Sequence, residues 1–398
     1  MARPTQIPAG RPLRVLVVNQ TAQTSGAELS LLTLLHAIDH ADAHVTLASP
    51  TGLLSERADA IGVPHVPITG TDASFRLSLR TTPPQLVAML RSAWQVARAA
   101  RRLDVDVVHA NTTRAGLIAV LARRFGAPAP LVHVRDWVPE GRSANAVLKV
   151  IASGAGAIVA NSRHVADQFD RVGGAPRMHV IHNPIDLTRF DAAVRDRDGA
   201  RRELGIDADV PLAGVVGQLT PWKGQDDAVR ALAVARQSVP DAQLVVAGSA
   251  KFAGPAARFD NAAYADELGR LPGELGIGDA VSLLGEVDDV PGVLAALDVL
   301  LVPSWQEAFG RVVVEGMAMG LPVIATATGG PPEIIDDRRT GFLLSPREPQ
   351  AWGDLLAELL GEDGQRASIG AAAHEASRRF APEAHAAAIQ AVYRDLAA

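Results

Sequence analysis

The chain has 398 residues, 48% of them hydrophobic, a formal net charge of −6 and no cysteine. That length favours two domains over one and supplies enough apolar residues for sizeable cores. The mixed, mildly acidic charge argues against nucleic acid as the main partner, because phosphate backbones call for a concentrated basic surface, and the lack of cysteine excludes disulfides and thiolate metal sites and fits a reducing compartment.

The chain opens MARPTQIPAGRPLRVLVVNQ, a short polar lead with prolines and then an apolar run from Val15 to Val18. No apolar signal core precedes that run. No stretch reaches the ~18–20 continuous apolar residues of a spanning helix; the nearest, VLAALDVLLVP at 293–303, is short and carries Asp298. The expectation is a soluble cytoplasmic protein.

Short β-branched runs then alternate with helical patterns. A first set is RVLVV (14–18), HVTLAS (44–49), VDVVHAN (105–111), PLVHVRD (130–136), AIVAN (157–161) and MHVIHN (178–183). A second is PLAGVVG (211–217), AQLVVAG (242–248), AVSLLG (280–285), VLLVPS (299–304), PVIATA (322–327) and GFLL (341–344). Segments between them, such as AELSLLTLLHAI (27–38) and GQDDAVRALAVARQSV (224–239), space their apolar residues helically. Alternating β and α units with strands apolar on both sides mean parallel sheets covered by helices. The expected fold is α/β, two Rossmann-like doubly wound domains facing a central cleft. They span 1–190 and 191–380, with the charged, weakly periodic stretch 183–211 as linker and a last helix at about 381–398 packing back on the first. Ligands of such sheets bind at the carboxyl ends of the strands, and between two such domains the cleft is the natural site.

The common nucleotide signatures are missing. There is no G-x-x-x-x-G-K-[ST], and SGAGAIVAN (153–161) lacks the third glycine of a dinucleotide fingerprint and precedes a strand instead of following one. Asp104 and Asp106 read as the approach to a strand, because the apolar strand follows them where a metal–diphosphate site would want it before. No His-rich or carboxylate-rich spacing suggests zinc or calcium.

Four loops after strands carry the candidate chemistry. In NQTAQTSGAELSLL (19–32), Gly26 stands just before a helix start, where backbone N–H groups can approach an anion; a plain helix start capped by Ser25 explains the same residues. In LVHVRDWVPE (131–140), His133, Arg135 and Asp136 end a strand, either as a site or as a satisfied histidine beside an internal ion pair. In VVGQLTPWKGQDD (215–227), Lys223 follows a strand, sits beside Trp222 and precedes a glycine and a helix, and lysine is a compact charge suited to phosphate oxygens. In SWQEAFGRVVVEGMAMG (304–320), Glu307 and Glu315 lie eight positions apart around an apolar run, with ATATGGPPEII (325–335) following as a tight loop into a helix with proline in its first turn.

Together these residues resemble the retaining glycosyltransferases of family 4, which have the GT-B fold. The resemblance runs through most of the chain: SGAE, NTT, HVRDW, ANSRHV, VIHNPIDLTRF, VGQLTPWKG, LVVAG, LLGEVDDV, LVPSWQEAFGRVVVEGMAMGLPVIAT, GGPPEII and TGFLL. The E-x7-E element is the most specific. The resemblance implies an enzyme that moves a hexose-type sugar from a nucleotide-diphosphate sugar to an acceptor hydroxyl, with no metal and no cofactor. It implies an acceptor domain first and a nucleotide-sugar domain second. Lys223 would stabilise the leaving diphosphate. Glu307 would accept hydrogen bonds from donor-sugar hydroxyls and Glu315 from ribose hydroxyls, since ionised carboxylates only accept. The N–H groups of Phe309, Gly310 and Arg311 would meet sugar or phosphate, Gly26 would admit the diphosphate, and Asn111 and Asp136 would lie on the acceptor side.

The chain departs from the family twice. Gln218 stands where members often carry Arg. At 133–136 the order His-Val-Arg-Asp puts Arg135 where many members carry a sugar-contacting histidine, so His133 and Arg135 stay alternatives. With no convincing carboxylate nucleophile beside the retaining chemistry, the resemblance implies a same-face reaction in which the leaving phosphate helps deprotonate the acceptor. Two rivals remain: a nucleotide-sugar epimerase of the same fold, and a non-catalytic nucleotide-sugar binder. The acceptor, whether glycan, lipid-linked or small molecule, and the oligomeric state are not legible. LRSAWQVARAARR (90–102), with Arg91, Arg98 and Arg102 on one face, fits either a peripheral contact with the inner face of a membrane or a solvated helix face.

Overall fold

Strands buried on both faces need helices on both sides, and the middle strands of the first half, Val107–Ala110, Leu131–Val134 and Ala157–Ala160, are buried at every position. The computed structural model describes residues 11–71, 82–175, 177–194, 196–251 and 259–398; the polar lead and most of the loop at 69–85 lie outside these. The chain divides into two units, Met1–Pro184 with Phe380–Ala398, and Ile185–Arg379.

In the first unit the strands are β1 (Leu13–Val18), β2 (Ala43–Ser49), β3 (His65–Pro67), β4 (Val107–Ala110), β5 (Leu131–Val134), β6 (Ala157–Ala160) and β7 (Met178–Val180). They form a sheet in the order β3-β2-β1-β4-β5-β6-β7, with the paired strands parallel. Asp106 receives Arg11 at 2.7 Å and the backbone N–H of Arg14 at 2.8 Å, which fastens the start of β4 to β1 and gives this acid a structural task.

The second unit holds β8 (Leu212–Val216), β9 (Gln243–Ala247), β10 (Val281–Gly285), β11 (Val299–Val302), β12 (Val323–Thr326) and β13 (Phe342–Leu344), in the order β10-β9-β8-β11-β12-β13, again parallel. Both orders are doubly wound. The direction of winding reverses between β1 and β4 in the first sheet and between β8 and β11 in the second, which is where such sheets open a crevice.

Most of the stretch expected to be a linker belongs to the second unit, which begins at Ile185. The helix Arg197–Leu204 packs there, and its Arg201 is fully buried. The Arg201 guanidinium pairs with Asp298 at 2.8 Å and donates to the carbonyls of Ala296, Asp207, Ala208 and Val210. A buried guanidinium is tolerable only when its donors are satisfied in this way.

The terminal helix Pro382–Ala397 lies on the first unit. Gln390 meets the backbone of Asp39, and Tyr393 Oη lies 2.6 Å from His109 Nδ1. Beneath it runs a file of buried histidines. His109 and His133 stack at 5.6 Å between ring centroids, and His133 and His385 at 6.0 Å. Burial, with the Arg135 charge nearby, pulls His109 and His385 down to about 3 and holds His133 well below its ordinary value.

These rings are neutral in the fold but take up protons in the unfolded chain below about pH 6.5. The stability they leave intact above that pH is therefore lost as pH falls, by roughly 1.4 kcal/mol per pH unit for each of His109 and His385 until about pH 3. Neither ring nitrogen of His133 has a hydrogen-bond partner among the described residues. His133→Leu should therefore not lower the melting temperature at pH 7.5 and should make its fall toward pH 5 shallower. Parallel pH curves for the two proteins would show that the file does not govern acid stability.

Candidate active site

The second unit brings its two strongest candidates together where its winding reverses. The loop after β8 tightens into a short 3-10 turn, Pro221–Lys223, and the loop after β11 carries Glu307. Lys223 Nζ lies 2.5 Å from Glu307 Oε2, and the ammonium stands 4.4 Å from the centre of the Trp222 ring. Ser304 Oγ donates to the same carboxylate oxygen at 3.0 Å. The pair is largely out of water, with side-chain exposures of 21% for Lys223 and 10% for Glu307. In that setting the interaction is stronger than it would be on an open surface, and removing either partner leaves the other stranded.

Backbone contacts hold the two loops in place. Trp305 N–H donates to the carbonyl of Trp222 at 2.8 Å. Gly224 has φ 71°, and a Cβ there would lie 2.2 Å from the carbonyl oxygen of Pro303. On the other side Gly330 N–H donates to the carbonyl of Glu307 at 2.8 Å, and Gly329, at φ 88°, runs so close that a Cβ would sit 2.0 Å from that oxygen. Both positions combine a left-handed backbone with a close approach, and glycine alone meets both demands.

After Glu307 the chain buries Phe309 and starts a helix, Arg311–Ala318, with Gly310 as its N-cap. Val313, Val314 and Met317 anchor it in the core. Glu315 is the fifth residue of that helix and so lies one turn in. Arg311 Nη2 donates to Glu315 Oε1 at 3.0 Å, with side-chain exposures of 15% and 10%.

Gln218 stands apart from this group. Its side chain donates to the carbonyl of Lys251 at 3.0 Å, and its own carbonyl accepts from Gln225. Ser304, not among the candidates above, joins this group through its bond to Glu307; its signal is a hydroxyl three residues before a loop glutamate.

In the first unit the candidates gather at the corresponding reversal. Asn111, just past β4, is fully buried, donates to Asn19 Oδ1 at 3.1 Å and accepts from Arg135 Nε at 3.1 Å. Arg135 also donates to Asn183 Oδ1, and its carbonyl receives Asn161. Asn19 in turn donates to Glu28, whose other oxygen takes the N–H and hydroxyl of Ser25. Gly26, an exposed residue, is the first of the helix Gly26–Ala37 that Ser25 caps. His133 lies inside β5 at 0% exposure, in the histidine file, while Arg135 lies past the strand end. Asp136 is exposed beside it.

Two doubly wound parallel sheets, each with a polar group at its winding reversal, define the GT-B class of fold. A family model for glycosyl transferases group 1 matches residues 196–376, and one for glycosyltransferase family 4 matches residues 24–189. Similar curated relatives are D-inositol 3-phosphate glycosyltransferases. That of Xylanimonas cellulosilytica is 31% identical over 96% of this chain and 91% of its own, and that of Nocardioides sp. 31% identical over 86% and 78%. Among solved structures, Anabaena HepE in complex with UDP-glucose superposes with a TM-score of 0.82 at 25% identity, covering 96% of this chain and 100% of that one. Sucrose-phosphate synthase from Thermosynechococcus elongatus shares the fold, with a TM-score of 0.78 at 21% identity over 96% and 99%. The chain belongs to the family 4 glycosyltransferases.

The contact of Gly329 with Glu307 can be tested by stability. Gly329→Ala must escape both a positive φ and the Glu307 carbonyl, and should cost about 1–3 kcal/mol or more in urea unfolding. Gly273→Ala, in the helix Asn261–Glu274 with no atom within 4 Å of the added Cβ, should be neutral or stabilising by up to about 1 kcal/mol. Equal effects at the two positions would contradict the close-approach argument.

Proposed function

We propose that this glycosyltransferase moves a hexose-type sugar from a nucleotide-diphosphate sugar to an acceptor hydroxyl, with retention at the anomeric carbon and without a metal ion, in glycan, polysaccharide or glycolipid synthesis. The observation that carries the reading is the Lys223–Glu307 pair at 2.5 Å, mounted where the second sheet reverses its winding. A fixed cation in a partly desolvated site stabilises the charge that grows on a leaving diphosphate. Glu307 then takes hydroxyls of the donor sugar and Glu315 those of the ribose, while the backbone N–H groups of Phe309, Gly310 and Arg311 meet sugar or phosphate.

In the first unit the Arg135–Asn111 group serves the reaction, because His133 is shut into the core; Gly26 and Asp136, both exposed, are its other contributions. Glu307 and Glu315 are each engaged by a cation, so neither is cast as a nucleophile. The leaving phosphate itself deprotonates the acceptor on the same face. Likeness to a UDP-glucose complex supports a uridine nucleotide as the first donor to try.

A thermal-shift series with UDP-, GDP- and ADP-sugars, with and without EDTA, tests the donor reading, since a ligand at 100 times its Kd adds about 2.7 kcal/mol of stability. One nucleotide should stand out, unchanged by EDTA. With that donor, Lys223→Ala should lower kcat for transfer, or for slow hydrolysis in the absence of acceptor, by about 10²–10³. Glu307→Gln should lower it as well while leaving the fold intact. Conversion of the donor to an epimer without acceptor would replace this reading with an isomerase, and a Glu307→Gln enzyme of full activity would remove Glu307 from the site.

A further inference from the structure

The helix Thr82–Arg102 of the first unit turns Met89, Ala93, Val96 and Ala100 inward and leaves Leu86, Val87, Leu90 and Trp94 exposed by 52%, 66%, 49% and 44%. Single exposed apolar residues are ordinary, but four on successive turns of one helix make a patch. Arg91 stands among them, and toward the C-terminus the exposed face turns basic with Arg98, Arg101 and Arg102. The Arg98 guanidinium lies 5.5 Å from the centre of the Trp94 ring, joining the apolar and basic halves.

The basic half continues onto the neighbouring elements. Arg101 donates to the carbonyl of Phe125, and Arg123 donates to the carbonyl of Gly154 at 2.7 Å, which brings the turn at 123–125 and the end of the helix Arg142–Gly154 alongside. Residues 82–102, 113–126 and 142–154 together contain nine arginines and lysines and no aspartate or glutamate, in a chain whose net charge is −6. Among the described residues, Arg91, Arg98, Arg102 and Arg124 form no ion pair. These four cations thus have no acidic partner among the described residues.

We propose that this face seats the protein on an anionic lipid bilayer, with Leu86, Val87, Leu90 and Trp94 at the acyl boundary and the arginines on headgroup phosphates. The aliphatic side chains favour lipid over nucleic acid, which offers no apolar phase to receive them. The contact lies on the surface, since no described helix is long and apolar enough to cross a membrane. The proposal is independent of which sugar is transferred.

The test is co-sedimentation of the full chain with vesicles of phosphatidylcholine alone and with vesicles of equal parts phosphatidylcholine and phosphatidylglycerol. Binding should appear with the anionic vesicles only and weaken with salt. Arg98→Gln and Arg102→Gln should each lower the partition coefficient about fivefold, and Leu90→Glu about tenfold or more. All three sites are exposed, so melting temperatures should stay at the wild-type value. Absence of binding to anionic vesicles, or undiminished binding by Leu90→Glu, would overturn the proposal. So would equally tight binding to a single-stranded RNA that Leu90→Glu leaves unchanged, which would reassign the face to nucleic acid.

Discussion

The contact of the Lys223 ammonium with the Glu307 carboxylate sets the terms for the second unit. The two residues are 84 positions apart and come from loops after adjacent strands. A lysine desolvated alone would lose its charge or leave the site, and a lone buried carboxylate would do the same. Paired, they can sit together with little water. That requires the ends of β8, β11 and β12 to be held in fixed register, and backbone does the holding: Trp305 to Trp222, Gly224 against Pro303, and Gly330 and Gly329 against Glu307. The apolar helix Arg311–Ala318 then closes the group from behind.

The first unit solves the same topological problem with different chemistry. Its winding reversal lies between β1 and β4, and the residues just past those strands are Asn19 and Asn111. Amide oxygens of Asn111 and Asn183 take N–H groups of Arg135, and amide and carbonyl groups fix the rest. Asparagine can donate and accept at once, so one residue links several partners. Buried polar networks of this kind demand full geometry, which is why the candidates of this unit sit so far from solvent while Gly26 and Asp136 stay exposed.

Strands were legible wherever apolar runs were long enough to be bounded by turn residues. β3 was not, because three residues, His65 to Pro67, carry no periodicity and end in proline. The stretch 183–211 read as a linker because arginine is rarely buried; Arg201 breaks that expectation by meeting four carbonyls and Asp298. Sequence spacing left His133 and Arg135 level. Only the register of β5 separates them, since His133 falls within the strand and Arg135 past its end. The place of Glu315, one turn into its helix, depended on Gly310 as the cap, and a helix start is the least legible part of a helix. The Lys–Glu contact itself joins two distant loops, and no local pattern encodes it.

The charges at the second reversal cancel within the protein. Lys223 answers Glu307, and Arg311 answers Glu315, across 2.5 and 3.0 Å. A diphosphate sugar would bring two kinds of group, anionic oxygens and neutral hydroxyls. Ionised carboxylates accept hydrogen bonds and repel phosphate, whereas lysine and arginine only donate. Under the proposed reading the two pairs must therefore come apart by function, cations turning to phosphate and carboxylates to hydroxyls. Each pair thereby holds its members in place beforehand, so that under this reading the field a leaving diphosphate needs is built when the protein folds and not during the reaction. Gln218 lies outside this arrangement: tied to the carbonyl of Lys251, it adds no charge to the balance, so that under the proposed reading the cationic work is left to Lys223 or Arg311.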